Sequence, residues 1–459
     1  MKTEVKNIHF IGIGGVGVSG LAEYFLKNDC KVSGSDLIES DITKRLALLG
    51  AKIHIGHKES NISQNTDTVV FTSAAKIDNP EMVKAAKLGI RLVRRAEMLG
   101  EIVNDKFLIA VSGTHGKTTT TAMIGKLLVD AGLDPLAFVR GSAALFEGGS
   151  SRFGKGRYAV VEADEYDRSF LTLKPDIAVI TNIDEDHLDV YKGIVDIKNT
   201  FNQFVGQSKE GGYIVYCGDD SNTKSFIGSV SRNKISYGFD DSNYLKITDY
   251  NIKPSNINFS ILNSHSSYTG INLNLIGRHN VLNSTACFAV SKILNIGFEK
   301  YRESIGGFKT VDRRLQVKYD KGGVKVYDDY AHHPAEISSS LKGLRESFAG
   351  RIIIVFQPHL YSRTKDFYKE FAKELSAADE VILMDIYPAR EEPIKGVTSE
   401  LILNEFREIN SNVSLISNRG EIIEKLLSTA KQDNIIVFQG AGDVTELCSE
   451  FVKKLEAKN

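Results

Sequence analysis

Lys117 and Thr118 close a short glycine loop, Gly113-Thr114-His115-Gly116-Lys117-Thr118, whose residue types suit a phosphate. Glycines let backbone N–H groups approach phosphate oxygens, and a following helix adds the positive end of its dipole. A lysine here reaches terminal phosphates, and the hydroxyl after it ligates magnesium. The loop is two residues shorter than the general Gly-x-x-x-x-Gly-Lys-Ser/Thr form. Two acidic segments carry further oxygen donors, Glu162-Ala-Asp-Glu165 and Asn182-Ile-Asp-Glu-Asp-His-Leu-Asp189. Magnesium is a hard cation that takes carboxylate, hydroxyl and phosphate oxygens, so Glu162 with Thr118 makes a sensible site on an ATP phosphate. His187 reads equally as a ligand or as a hydrogen-bonded loop residue, and its acidic neighbours as ligands or as a solvated loop.

These residues need strands and helices to place them. The apolar run Phe107–Val111 predicts a buried parallel strand. Met123, Ile124, Leu127 and Leu128 recur at helical spacing, and Gly132 marks the stop. Strands at Tyr158–Val161 and Ile177–Ile180 lead into the two acidic segments, and α/β sheets collect ligands at the carboxyl ends of their strands. From about 211 to 275, short and alternating segments such as Tyr213–Tyr216 and Ile271–Ile276 predict added β-structure. Gly277-Arg-His-Asn280 then opens a helix in which His279 and Asn283, four apart, share a face. Meeting a base and merely capping the segment are both open to them.

A second glycine motif lies near the N-terminus. A strand over Asn7–Ile11 runs into Gly12-Ile-Gly-Gly-Val-Gly17, and Leu21, Ala22, Phe25 and Leu26 continue as a helix face. Strand Lys31–Gly34 ends near Asp36, about where a ribose-binding acid falls in a dinucleotide fold. That motif alone favours NAD, and Asp36 otherwise caps the next turn. Arg95 suits either an anionic ligand or a solvated face. The C-terminal third again alternates α and β, with strands at Val324–Tyr327, Ile352–Phe356, Val381–Met384 and Ile435–Phe438. Three of them end in polar clusters: Asp328-Asp-Tyr-Ala-His-His-Pro334, Gln357-Pro-His-Leu-Tyr-Ser-Arg363 and Gln439-Gly-Ala-Gly-Asp443. Adjacent His332 and His333 at a strand end are not expected in a core.

The chain has 459 residues, 57 Lys and Arg against 58 Asp and Glu, and four widely spaced cysteines. A net charge of −1 carries no nucleic-acid footprint. No apolar run approaches a membrane span, no signal peptide is visible, and the cysteines fit buried thiols in a reducing cytoplasm.

Taken together and in order, Gly113–Thr118, Glu162–Glu165, Asn182–Asp189, Gly277–Asn280 and Asp329–Pro334 resemble the Mur ligases of peptidoglycan synthesis. Gly12–Gly17, Arg95-Ala-Glu-Met-Leu99 and Gln357-Pro-His359 most resemble the branch that joins L-alanine to UDP-N-acetylmuramate. The resemblance implies three α/β domains. These are a Rossmann-like UDP-sugar domain at 1–105, a central P-loop ATP domain with added β-structure at 106–311, and a Rossmann-like domain at 312–459. It replaces NAD by a UDP-sugar at the first glycine motif.

By the same resemblance, Gly113, Thr114, His115, Gly116, Lys117, Thr118 and Thr119 bind ATP phosphates, with Mg2+ on Thr118, Glu162 and His187. His279, Asn283, Arg314 and Asp329 hold adenine and ribose. Gly14, Gly15, Val16, Gly17, Asp36, Ser73 and Arg95 contact the UDP-sugar. Tyr330, His332 and Arg363 position L-alanine, and Lys117, His187, His332 and Arg363 serve catalysis. A cytoplasmic monomer or homodimer, acting on small molecules without nucleic acid or membrane insertion, is implied. Three positions depart from the family pattern. Ala331 replaces a glycine, Leu360 stands where some alanine-adding members carry arginine, and Asn202 lies near the place of a modified lysine in sister ligases.

Overall fold

A computed structural model describes residues 5–139, 151–186, 190–228, 230–254, 256–389, 391–431 and 433–458. The chain packs as two compact units. One comprises residues 1–249, 259–271 and 282–308, and the other residues 250–258, 272–281 and 309–459.

The first unit opens with a five-stranded parallel sheet in the order Lys52–Ile55, Lys31–Asp36, Asn7–Ile11, Thr68–Phe71, Arg91–Arg94. The chain builds outward on one side of Asn7–Ile11 and then resumes on the other. The carboxyl end of that strand is therefore a switch point, where such sheets leave a crevice for a ligand. Ile8 and Phe10 pack against Leu21 and Phe25 of helix Val16–Lys27 in one continuous core. Beneath the sheet lies a buried polar cluster of His9, Ser35, His57, Asn61 and Glu81 around the start of helix Pro80–Lys87.

The central sheet places Phe107–Ser112 between Ile177–Ile180 and Tyr158–Glu162, all parallel. Tyr213–Cys217 and Asn233–Gly238 extend one side, and Leu136–Phe138 with the antiparallel Ser151–Phe153 closes the other. Leu108, Ile109, Ala110 and Val111 are fully buried, as the uninterrupted apolar run predicts. Helix Lys117–Asp130 covers this sheet with Met123, Ile124, Leu127 and Leu128, also fully buried. Each such side chain contributes about 1.5–3 kcal/mol relative to exposure. The helix stops where expected, and Gly132 takes φ +73°. The added β-structure is present as Leu245–Lys253, Asn256–Leu262 and Ser267–Leu273. The last of these ends before the expected Ile276. That residue instead joins the apolar core of the second unit with Leu315, Ile337 and Leu341.

The second unit holds a six-stranded sheet in the order Gln316–Lys321, Val324–Asp329, Asn434–Gln439, Arg351–Phe356, Glu380–Leu383, Val413–Leu415. Only the first pair is antiparallel. Asp329 and Phe356 both stand beside Gln439, so three strand ends open on one edge. Cys30, Cys217, Cys287 and Cys448 are all free thiols, and only Cys30 is partly exposed. Among the described residues no helix is long and apolar enough to cross a membrane.

Candidate active site

The central glycine loop has the geometry its residue types call for. Gly113 takes φ +135° and Gly116 φ +83°. A Cβ on Gly113 would stand 2.1 Å from the Thr181 hydroxyl, and one on Gly116 2.6 Å from the Asn283 amide oxygen. Side chains are therefore excluded at both positions by conformation and by space. The segment after Ile177–Ile180 anchors the loop. Asn182 accepts from the Thr114 and His115 N–H groups at 3.0 and 2.9 Å and donates to the His115 carbonyl at 3.0 Å. The Thr181 hydroxyl donates to the same carbonyl at 2.6 Å. Strand order makes this possible, because Ser112 and Ile180 are neighbours across the sheet.

Lys117 and Thr118 open the helix. The Lys117 ammonium donates to the Gly113 and Thr114 carbonyls at 2.6 and 3.0 Å and to Glu165 at 2.9 Å. Burial opposes its charge, yet Glu165, Asp164 and Glu162 outweigh that and hold its pKa above the usual lysine value. The Thr118 hydroxyl donates to Glu162 at 2.9 Å, and both residues are buried. Glu162 ends the neighbouring strand, beside Val111. A hydroxyl and a carboxylate at the mouth of a phosphate loop form an all-oxygen donor set suited to magnesium. His115 pairs loosely with Asp184 at 3.7 Å, and Thr119 is buried in the first helical turn. Asn283 lies against Gly116, within helix Arg278–Ile293 as expected. His187 lies outside the described residues.

In the N-terminal sheet, Asp36 ends its strand and accepts from the Gly14 N–H at 2.8 Å and from the Leu37 N–H at 2.8 Å. It thus ties down the glycine loop. A Cβ on Gly14 would sit 2.8 Å from the same carboxylate. Helix Val16–Lys27 begins at Gly15 with no side-chain cap and no acidic residue in its first turn. An uncapped N-terminus of this kind suits an anion. The Arg95 side chain lies over Gly17, about 3.4 Å from where a Cβ would be, which brings a guanidinium to that turn. Ser73 is exposed just past strand Thr68–Phe71, beside the same switch point.

In the second unit, Tyr330 is stacked against two cations. The Arg313 and Arg314 guanidinium carbons stand 4.8 and 5.3 Å from its ring centre. His332 Nδ1 lies 2.9 Å from the Tyr330 carbonyl, which can only accept. Nδ1 is therefore the donor in this contact, with the Glu336 carboxylate 3.3 Å away. Glu336 accepts from the His332 N–H at 3.0 Å and from Arg314 at 3.2 Å. The His332 ring then meets His359 at 5.7 Å, and Arg363 meets His359 at 3.4 Å. Tyr330, His332 and Arg363 are thus gathered, with His359 as the connecting ring. Leu360 heads the Arg363 helix in a left-handed conformation, φ +73°.

Asp329 is buried and fully engaged, accepting from Ser340 at 2.7 Å, Gln439 at 2.9 Å and the Leu315 N–H at 3.3 Å. Burial pushes its carboxyl above the usual range. His279 folds back over Gly277, whose added Cβ would fall 2.5 Å from the imidazole. His333 departs from expectation. It is buried, caps helix Pro334–Ser347 through the Ala335 N–H at 3.4 Å, and packs on Phe367. Sequence reasoning gave no role to Glu165, Asn182, Arg313 or Glu336. Each stands within a few residues of a strand end or helix start, which is the one signal that could have marked them.

Three family profiles match the chain. They are described as the Mur ligase family catalytic domain over residues 7–107, the Mur ligase middle domain over 111–291, and the Mur ligase glutamate ligase domain over 313–442. A UDP-N-acetylmuramate–L-alanine ligase of Geotalea daltonii is 41% identical, with 99% of each chain covered. One of Geobacter sp. (strain M21) is 42% identical over 100% of this chain and 99% of its own. Among solved structures, UDP-N-acetylmuramate–alanine ligase from Thermotoga maritima superposes with a TM-score of 0.85 at 27% identity. The superposition covers 99% of this chain and 100% of that one. A murein peptide ligase from Psychrobacter arcticus shares the fold, with a TM-score of 0.72 at 24% identity over 98% of each chain.

Proposed function

This chain belongs to the Mur ligase family, and from that membership we propose that it joins L-alanine to the carboxylate of UDP-N-acetylmuramate at the expense of ATP. The observation that carries the reading is the phosphate loop, with its buried Lys117 and with Thr118 already bonded to Glu162. Relatives about 41% identical along the whole chain supply the substrates. We divide the chain at about residues 105 and 311 into UDP-sugar, ATP and amino-acid domains.

The reaction has two steps. The UDP-sugar carboxylate attacks the ATP γ-phosphorus, ADP leaves, and an acyl phosphate forms. The neutral amine of alanine then attacks the acyl carbon, and phosphate departs with its bonding pair. The first step brings two anions together, so charge cancellation dominates. Lys117 and the loop Gly113–Thr119 hold the phosphates, in a conformation that Asn182 fixes through the Thr114 and His115 N–H groups. Magnesium fits Thr118 and Glu162, with His187 as a further ligand, and when bound neutralises phosphate charge. Gly14–Gly17, Asp36, Ser73 and Arg95 hold the UDP-sugar, with Arg95 aimed at its anionic part. His279, Asn283, Arg314 and Asp329 serve adenine and ribose; Asp329 does so by fixing strand ends, since its oxygens are already occupied. Arg363 takes the alanine carboxylate, Tyr330 borders the amino acid, and His332 Nε2 accepts the amine proton. The compartment is the cytoplasm, and the working form is a monomer or homodimer.

Phosphate release from ATP and magnesium, with UDP-N-acetylmuramate and either L-alanine, glycine, L-serine or a preformed tripeptide, tests this reading. Release that needs both the UDP-sugar and L-alanine, with the amide product seen by mass, is expected. Release with the tripeptide alone would move the chain to a recycling role.

A further inference from the structure

Lys117 has no proton to spare. An ammonium has three donors and no acceptor. Here they go to the Gly113 carbonyl at 2.6 Å, the Thr114 carbonyl at 3.0 Å and Glu165 at 2.9 Å. To donate to a phosphate, Lys117 must give up at least one of these bonds. The two carbonyls belong to the loop that wraps the phosphate. Glu165 stands outside it and is the only charged partner of the three.

The Glu165 backbone is firmly anchored. Its side chain is 4% exposed, against 12% for Lys117. Its carbonyl accepts from the Arg168 N–H at 2.9 Å and from the buried Tyr191 hydroxyl. The preceding Asp164 carbonyl accepts from the Phe170 N–H and the Ser169 hydroxyl, both at 3.0 Å. Asp167 and Arg168 both take φ +54°, a left-handed pair that persists only where surrounding structure enforces it. The turn is anchored further by the Thr172 hydroxyl on the Ala96 carbonyl at 2.9 Å and by Asn104 on the Thr172 carbonyl at 2.9 Å. With its backbone so anchored, the Glu165 carboxylate can follow a moving lysine only through rotation of its own side chain.

We propose that Glu165 is a positioning residue that latches the Lys117 ammonium and competes with a nucleotide phosphate for it. This rests on the reading of Gly113–Thr119 as a nucleotide phosphate loop. The latch keeps the ammonium aimed at the loop mouth, lowers nucleotide affinity by the cost of the exchange, and takes Lys117 back when phosphate leaves. Asp164 supplies the control. It is also a buried neighbouring carboxylate acting on Lys117 through space, but its side chain is turned to the Tyr166 N–H at 3.2 Å.

The test is equilibrium binding of β,γ-imido-ATP with magnesium to the full-length protein. Glu165→Gln, similar in shape without the charge, is expected to bind about five- to tenfold tighter, with affinity for the UDP-sugar within about twofold of wild type. Asp164→Asn is expected to change nucleotide affinity by less than about twofold. Glu165→Asp, which withdraws the charge by one methylene, gives a smaller gain of the same sign and carries the test if the glutamine variant does not fold. A Glu165→Gln variant that binds no tighter, or an Asp164→Asn variant that gains as much, overturns the latch. Lys117→Ala separates the two readings. Weakened binding there beside an unimproved Glu165→Gln removes the latch alone. Unchanged binding in Lys117→Ala removes the phosphate-loop reading and the latch with it.

Discussion

Lys117→Ala lowers kcat by about 10²–10³-fold, a loss of about 2.7–4 kcal/mol of transition-state stabilisation, the scale of one preorganised donor. The ammonium is buried, charged and held at the mouth of the phosphate loop, and once a phosphate has taken the place of one of its partners it faces the charge that develops on the γ-phosphate. The substitution also strands the Glu165 carboxylate in a buried place without its counter-charge, and leaving one half of a buried pair is costly. Stability therefore falls as well. Turnover is to be measured at saturating nucleotide, well below the variant's own Tm, with circular dichroism confirming the fold. A folded variant that keeps more than about a tenth of wild-type kcat contradicts the role.

Glu81→Gln carries the largest expected effect on stability. Glu81 has no exposed side-chain surface. It accepts from Ser35 at 2.6 Å and Asn61 at 2.5 Å, with His57 at 3.4 Å and His9 at 3.6 Å. Burial opposes its charge, but His9, Ser35 and Asn61 outweigh burial and bring its carboxyl down to about 2. The folded pKa lies below the unfolded value of about 4.5, so the charged group contributes stability above pH 4.5 and loses it as pH falls toward 2. The separation corresponds to about 3 kcal/mol at neutral pH. Urea unfolding of wild type and Glu81→Gln is expected to differ by that amount at pH 7, and the gap to narrow by about 2 kcal/mol between pH 6 and pH 3. A gap independent of pH would show that packing, not charge, is what the substitution removes.

Much of this molecule is legible in its sequence. Strands Asn7–Ile11, Phe107–Ser112, Tyr158–Glu162 and Asn434–Gln439 fall on apolar runs, and the two glycine loops follow strands and open helices. Local pattern suffices there, because period and turn chemistry act over a few residues. Sheet order is a different matter. That Phe107–Ser112 lies between Tyr158–Glu162 and Ile177–Ile180 depends on where two crossovers land. Without it Glu162 cannot be set against Thr118, nor Asn182 against the loop. The resemblance to the family sets Glu162 with Thr118 and is silent on Asn182, and the 2.9 Å bond between the first two gives their pairing a physical basis. Asp329 and His333 show the converse. Both stand out as polar residues at a strand end, and both are buried, Asp329 in hydrogen bonds that tie the edge together and His333 as the cap of a helix. The pairings of Glu165 with Lys117 and of Glu81 with Ser35 have no local sign, because the partners lie 48 and 46 positions apart in the chain.

The central claim is that the UDP-sugar carboxylate is activated on the ATP γ-phosphate before alanine attacks. UDP-N-acetylmuramate labelled with ¹⁸O in that carboxylate tests it directly, with mass analysis of the inorganic phosphate released during turnover with L-alanine. The account predicts one ¹⁸O atom in each phosphate formed from doubly labelled carboxylate, because the attacking oxygen leaves with phosphorus. Phosphate free of label, alongside normal amide product, would contradict it.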